Sequence, residues 1–317
     1  MRKKTKISAV PKQKKLNCST CFKNKKTKQF SELKRAKRFS AFFILPSFLG
    51  VLVFFAAPFA VIIYYSFIDN PINKEFVGIN NFIGLFENSA FKQAATNTLT
   101  ISLISVPLAV IVPLLLAIVL EHEIPMKSKI RTFLLCPMMV PVASVVLIWQ
   151  VVFHHEGVLS NIVTLLGGQP VDWLKSEFSI YVVVLLFLWK NIGYNMIIFM
   201  AAIGNIPKYP IEAAQVDGAG SARIFFSIKL RYLSPSILFV VILSLINSFK
   251  IFREVYLLTG NYPYNTLYTL QHYMNNMFRK LDYQKLSAAS IVMFIVMVAI
   301  VGILFIVENK FGKDVEQ

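Results

Sequence analysis

A chain of 317 residues that is 56% hydrophobic and 15% charged, with 28 phenylalanines, carries more apolar surface than a soluble domain can bury. That excludes an ordinary water-soluble enzyme and makes a bilayer the expected solvent. The formal net charge of +17 would suit nucleic acid, but 15 of the 33 basic residues fall before residue 41 against the single acid Glu32, so the charge is first a topology signal and nucleic acid is not an expected partner.

In chain order, the basic tail 1–40 has Lys/Arg runs and few apolar residues, and is expected to be disordered or to lie against anionic headgroups, with a short basic amphipathic helix over 30–40. Cys18 and Cys21 have the gap of half a zinc site, but no other Cys or His lies in the tail to complete it, so reduced thiols and no metal are expected. Six apolar stretches follow, each near the roughly 20 residues that a helical span needs. They are 41–67, 96–120, 132–153, 179–203, 235–258 and 287–307. Lipid offers backbone amides no partner, so these stretches must be helices, and they are too continuous for a membrane barrel. The fold class is all-α, a polytopic membrane protein with six transmembrane helices over 41–307 and a short tail, 308–317. The first stretch reads as a retained anchor rather than a cleaved leader.

Adding the segments 121–131, 204–234 and 308–317 to the tail puts 24 basic residues on one side, against six in 68–95, 154–178 and 259–286. By the positive-inside rule both termini and the long loop 204–234 face the cytoplasm. The outer loops are too short for a folded binding domain, so capture of dilute solute is expected on another protein. No phosphate loop occurs: the only Gly-Lys pair, Gly312-Lys313, has Val307 where the motif needs Gly and is followed by Asp314. If ATP drives transport, a partner hydrolyses it.

The loop 204–234 predicts two short helices joined by a turn. Pro210 suits the first helical position, Glu212 then complements the dipole in the first turn, and Ala213 and Ala214 allow close approach to another surface. Asp217-Gly218 breaks the helix before Ala219, and Ser221 can cap a second helix with an apolar face of Ile224, Phe225, Ile228 and Leu230. Such a unit suits either docking into a partner's groove or lying at the headgroup interface.

Polarity enters the fourth and fifth spans at Lys190, Asn191, Tyr194 and Asn195, and at Asn247, Ser248, Lys250, Arg253 and Glu254. Such groups must face a cavity, pair or snorkel. Asn191, Tyr194 and Asn247 are candidates for a sugar path, because aromatic faces with amide and hydroxyl partners suit hydroxylated rings; the alternative is hydrogen bonding between packed helices. The histidines His122, His154, His155 and His272 have no metal-ligand spacing and are expected in loops.

The run Glu212-Ala213-Ala214, Asp217-Gly218-Ala219, then Phe226, Ile228, Leu230 and Pro235 resembles the EAA loop of permease subunits in binding-protein-dependent ABC importers. The family usually places Pro after that Leu, where this chain has Arg231. The resemblance extends over most of the chain from Phe43, through Phe76–Phe82, Asn97-Thr98-Leu99, Trp149 with Phe153, Asp172-Trp173-Leu174, Trp189 with Gly193, and Thr259-Gly260 with Pro263. It is similar to the carbohydrate branch, the first permease of maltose- and glycerol-phosphate-type importers, although Thr259–Pro263 lacks the Gly-rich run of many relatives.

The resemblance implies a bacterial inner-membrane assembly with a second permease, a cytoplasmic ATPase dimer that binds ATP-Mg and an extracytoplasmic solute-binding protein. It further implies no catalytic residue or cofactor in this subunit, with coupling to the ATPase through residues 212–220. A permease for a non-carbohydrate solute is the alternative. A gradient-driven transporter would need acids within the spans, and Glu254 is the only one in the six segments.

Overall fold

In the computed structural model, residues 43–121 and 124–312 are described. The basic tail with Cys18 and Cys21, and His122, lie outside them. The described residues are helical, with one isolated antiparallel pairing of Ile68 and Phe76 and no strand. Six stretches are long and apolar enough to cross a membrane, in agreement with the sequence.

The chain divides into two compact units, residues 1–61 and 62–317. Helix α1 is Phe43–Ser66 and contains a wider, five-residue turn at Leu52–Ala56. The second unit comprises α2 (Asn80–Glu87), α3 (Ser89–Glu121), α4 (Lys127–Met139), α5 (Val142–Phe153), α6 (Val158–Leu165), α7 (Ser179–Gly204) and α8 (Lys208–Val216). It continues with α9 (residues 221–249), α10 (Phe252–Thr259), α11 (Leu270–Arg279) and α12 (Tyr283–Gly312).

At the centre α3 packs along α7, with α9 against both. Val110, Ala117 and Leu120 of α3 meet Met196, Phe199 and Ile203 of α7 and Leu233 and Val240 of α9. Lipid supplies no hydrophobic force between helices, so close packing and interhelical hydrogen bonds hold them. Asn195, fully buried, donates from Nδ2 to Ala109 O at 2.8 Å and to Ser244 Oγ at 3.1 Å, tying all three. Ser102 and Ser248 add a 2.9 Å hydroxyl contact between α3 and α9.

Helix α4 crosses α7 at Gly193. A Cβ built there would stand 2.1 Å from Leu134 O and 2.5 Å from Leu134 C, so only hydrogen fits between the two backbones.

Several boundaries depart from expectation. The predicted span 132–153 is two helices, because Val140 and Pro141 are extended and Pro141 has no N–H to continue α4. The apolar crossing begins at Val142 and continues through α6 to Leu165. The predicted span 235–258 starts earlier and breaks at Lys250–Ile251, where α10 begins. The last helix runs from Tyr283 to Gly312, so residues 308–312 extend it rather than forming a tail.

His272 is not in a loop. It lies on α11, buried, and its Nδ1 sits 2.9 Å from Thr269 Oγ1 in a reciprocal cap of the helix. Burial lowers its pKa to about 4, so the ring is neutral near pH 7. Helix α11 is tied to the top of α3, where Thr98 Oγ1 accepts from Leu270 N at 2.9 Å and Asn97 Nδ2 donates to Tyr268 O at 3.0 Å.

Gly193→Ala is expected to lower the stability of the detergent-purified protein by about 3 kcal/mol, the upper end of over-packing costs. Gly302→Ala, where nothing lies within 4 Å of the added carbon, should leave it unchanged. Thermal unfolding of the two variants measures the difference, and equal melting temperatures would refute the close crossing.

Candidate functional site

Two regions hold the residues singled out in the sequence. The first is a cavity of about 710 Å³ bounded by α7, the end of α9, α10 and the first turn of α11. Asn191, Tyr194 and Asn247 all line it, so the structure brings together the three residues expected to contact solute. Asn247 Nδ2 donates to Asn191 Oδ1 at 3.1 Å, and Asn191 Nδ2 donates to its own helix at Phe187 O, 2.8 Å away. The amides are thereby held in fixed orientations with the Tyr194 ring one turn further along α7. Asn195 and Ser248 take the other role considered for this group: they bond between helices and do not line the cavity.

Charged residues complete the wall. Lys190 Nζ donates to Glu254 Oε1, and Arg253 Nη2 lies 3.6 Å from the same oxygen. The Glu254 side chain is 7% exposed and Lys190 19%, whereas Arg253 is 67% exposed. Lys250 also faces the cavity and has no carboxylate within 4.0 Å among the described residues.

Gln271 is a wall residue that the sequence reading passed over, because 259–286 read as a loop. The signal was present: Leu270, Tyr273, Met274 and Met277 recur at helical spacing behind Thr269, and they pack on Phe91 and Ala288.

The second region is the loop 204–234. Helix α8 begins at Lys208 with Pro207 before it, two residues earlier than predicted. Pro210 is therefore the third helical residue, still among the amides that need no helical partner, and Glu212 lies beyond the first turn, where the dipole contributes little. Glu212 and Ala213 are exposed and Ala214 half-buried. Tyr209 and Val216 are 81% and 88% exposed, so the helix presents apolar side chains without burying any residue.

Its end is a double-bonded left-handed turn. Gly218, at φ +80°, donates to Gln215 O at 3.0 Å, and Ala219 N donates to Ala214 O at 2.9 Å. Asp217 is the last residue before the glycine, and the pattern is a Schellman cap, which needs positive φ at that position.

The second short helix is not separate. Ser221 is its first residue and makes no capping bond; Gly220 precedes it. The helix passes through a wider turn at Phe225–Lys229 into Leu230–Phe249 without a break, across Arg231. Lys229 Nζ reaches both oxygens of Glu121 at 2.8 and 2.9 Å, bracing α9 against the end of α3. Among the described residues no group of His, Cys, Asp and Glu could hold a metal.

Residues 81–315 match the family described as binding-protein-dependent transport system inner membrane component. The chain is 31% identical over 258 residues to the sulfoquinovosyl glycerol transport system permease protein SmoG of Agrobacterium fabrum, covering 79% of this chain and 84% of that one. It is 30% identical over 274 residues to the sn-glycerol-3-phosphate transport system permease protein UgpA of Yersinia enterocolitica, covering 84% and 93%. It is 28% identical over 291 residues to the trehalose/maltose transport system permease protein MalF of Thermococcus litoralis, covering 90% and 98%. Among solved structures, a chain of a bacterial ABC transporter involved in import of the acidic polysaccharide alginate superposes with a TM-score of 0.76 at 23% identity, over 89% of this chain and 99% of that one. The likeness extends to the fold.

Removing Glu254 leaves Lys190 with no carboxylate within 4.0 Å among the described residues, whereas removing Lys190 leaves Glu254 beside Arg253. Glu254→Ala is therefore expected to destabilise the protein by about 3 kcal/mol, while the double variant Lys190→Met/Glu254→Leu should recover most of the loss. Unfolding midpoints of the single and double variants decide it, and additive losses would contradict a paired role.

Proposed function

The chain belongs to the family of binding-protein-dependent transport system inner membrane components, and from that premise we propose that it forms half of the translocation path for a sugar or sugar derivative. The multi-pass membrane protein is a permease subunit. In the proposed assembly it is joined by a second permease, a cytoplasmic ATPase dimer that binds ATP-Mg and an external solute-binding protein, with both termini of this chain cytoplasmic. The relatives named for sulfoquinovosyl glycerol, sn-glycerol-3-phosphate and trehalose/maltose support the carbohydrate class.

The observation that carries the coupling role is the path from α8 to the cavity. An exposed helix with unburied Tyr209 and Val216 suits a groove on a partner, where Glu212, Ala213 and Ala214 offer one carboxylate and little bulk. Two residues beyond the Gly218 turn the chain enters α9, a helix of about 40 Å whose far end carries Asn247. Displacement of α8 by ATP-driven closure would therefore reach the cavity through one continuous helix.

Gly218→Pro locks φ near −65° where the turn needs +80° and removes the amide bonded to Gln215. Membrane insertion should persist, while solute uptake per ATP hydrolysed falls about tenfold or more, the scale of a lost coupling free energy. Transport and hydrolysis measured together in reconstituted complex test it; unchanged coupling would remove α8 from the lever.

A further inference from the structure

Within the importer reading, on which this step rests, we propose that the transported sugar bears an anionic group, a carboxylate, phosphate or sulfonate, taken up beside Lys250 and Arg253. The cavity wall holds three cations, Lys190, Lys250 and Arg253, against the one carboxylate of Glu254. That carboxylate is already committed. Its Oε1 accepts from Lys190 and stands 3.6 Å from Arg253, so a single negative charge is shared between two cations and Lys250 has none.

The excess positive charge borders a space of about 710 Å³, enough for more than an ion. Lys250 and Arg253 are three residues apart across the Lys250–Ile251 break, and both are exposed while Glu254 is buried behind them. The two cations thus sit in front and the compensating acid at the back. An unpaired cation at membrane depth is costly unless an anion or water meets it, and a solute anion arriving there gains from both charges at once. Such an arrangement repels a cationic amino sugar and gives a neutral sugar no use for the charge.

The remaining wall suits the rest of a sugar. The Asn191–Asn247 amide pair, Gln271 and the Tyr194 hydroxyl provide donors and acceptors for ring hydroxyls, and the tyrosine a flat face. The anionic group would be read by charge and the ring by hydrogen bonds.

The complete importer, with its second permease, ATPases and binding protein, is reconstituted in proteoliposomes. Initial uptake rates are measured for a uronate-containing oligosaccharide, a sugar phosphate and a neutral oligosaccharide of equal length, with inorganic phosphate as a competitor. ATP-dependent uptake is expected for an anionic probe over its neutral match. Lys250→Gln or Arg253→Gln should cut the anionic rate about tenfold with little effect on any neutral rate, and Lys250→Arg should retain it. Uptake of neutral sugar alone, or equal losses for neutral and anionic sugars in the variants, overturns the inference and leaves the importer standing. Competition by inorganic phosphate as strong as by the sugar phosphate assigns the charge to a bare anion and overturns it too. Absence of ATP-dependent uptake of every probe defeats the importer reading, and this inference with it.

Discussion

Lipid gives a polar group no partner, and that single constraint sorts the polar side chains of α7. Helix α7 displays the sorting along its own length. Asn195 is buried and bonds to the backbone of α3 and a hydroxyl of α9, so its polarity is spent on packing. One turn away Asn191 pairs with Asn247 at a cavity wall, and beside it Lys190 meets the carboxylate of Glu254. The dry and the wet ends of the interface differ by a single turn of helix. Gly193 lies between them, at the point where the backbone of α4 approaches too closely for any side chain.

The breaks in the helices obey the same constraint. Non-helical backbone at membrane depth is tolerated where it is buried in protein or lines a cavity. The Lys250–Ile251 break lies on the cavity wall, and Met138, two residues before the extended Val140-Pro141 pair, lines the same space. At the first of these the chain tightens, with Lys250 N bonding to Asn247 O and Glu254 N to Ile251 O. The tightening turns the chain so that Lys250, Arg253 and Glu254 follow one another around the cavity wall.

Much of this was legible in the sequence, and the limits have physical causes. Six apolar stretches must be six helices, so their number and the all-α class followed from the solvent alone. The three solute-contact candidates were legible as amides and a tyrosine in apolar runs, and they converge on one cavity. Hydropathy could not see the break at Pro141, because apolar content continues through it; Pro141 itself carried that signal, whereas Pro137 is accommodated inside α4. It also missed α11, which is too polar overall to register because Gln, His, Asn and Arg flank its apolar face, although His272 and Thr269 form its cap. The start of α8 was misplaced because Pro210 is tolerated anywhere in the first turn, not only at its first residue. The glycine turn, in contrast, was readable from Asp217-Gly218, since few other residues adopt φ near +80°.

The loop 204–234 and the cavity are joined by geometry rather than by proximity. Helix α9 leaves the Gly218 turn and reaches Asn247, and α3 flanks it throughout, with Lys229 held to Glu121 near its start. The wider turn at Phe225–Lys229 lies at that brace, so this irregular segment is backed by an ion pair. In the proposed lever, a push on α8 would meet a short exposed helix, a turn fixed by two backbone bonds, and a helix tied to α3 by an ion pair at its wider turn. Within the span, bending α9 would break backbone bonds that lipid cannot replace, except at Pro235, which has no N–H to lose. The next break in the chain after that span is at Lys250–Ile251. That break carries side chains facing the cavity, so in the proposed lever movement there would change the cavity's wall.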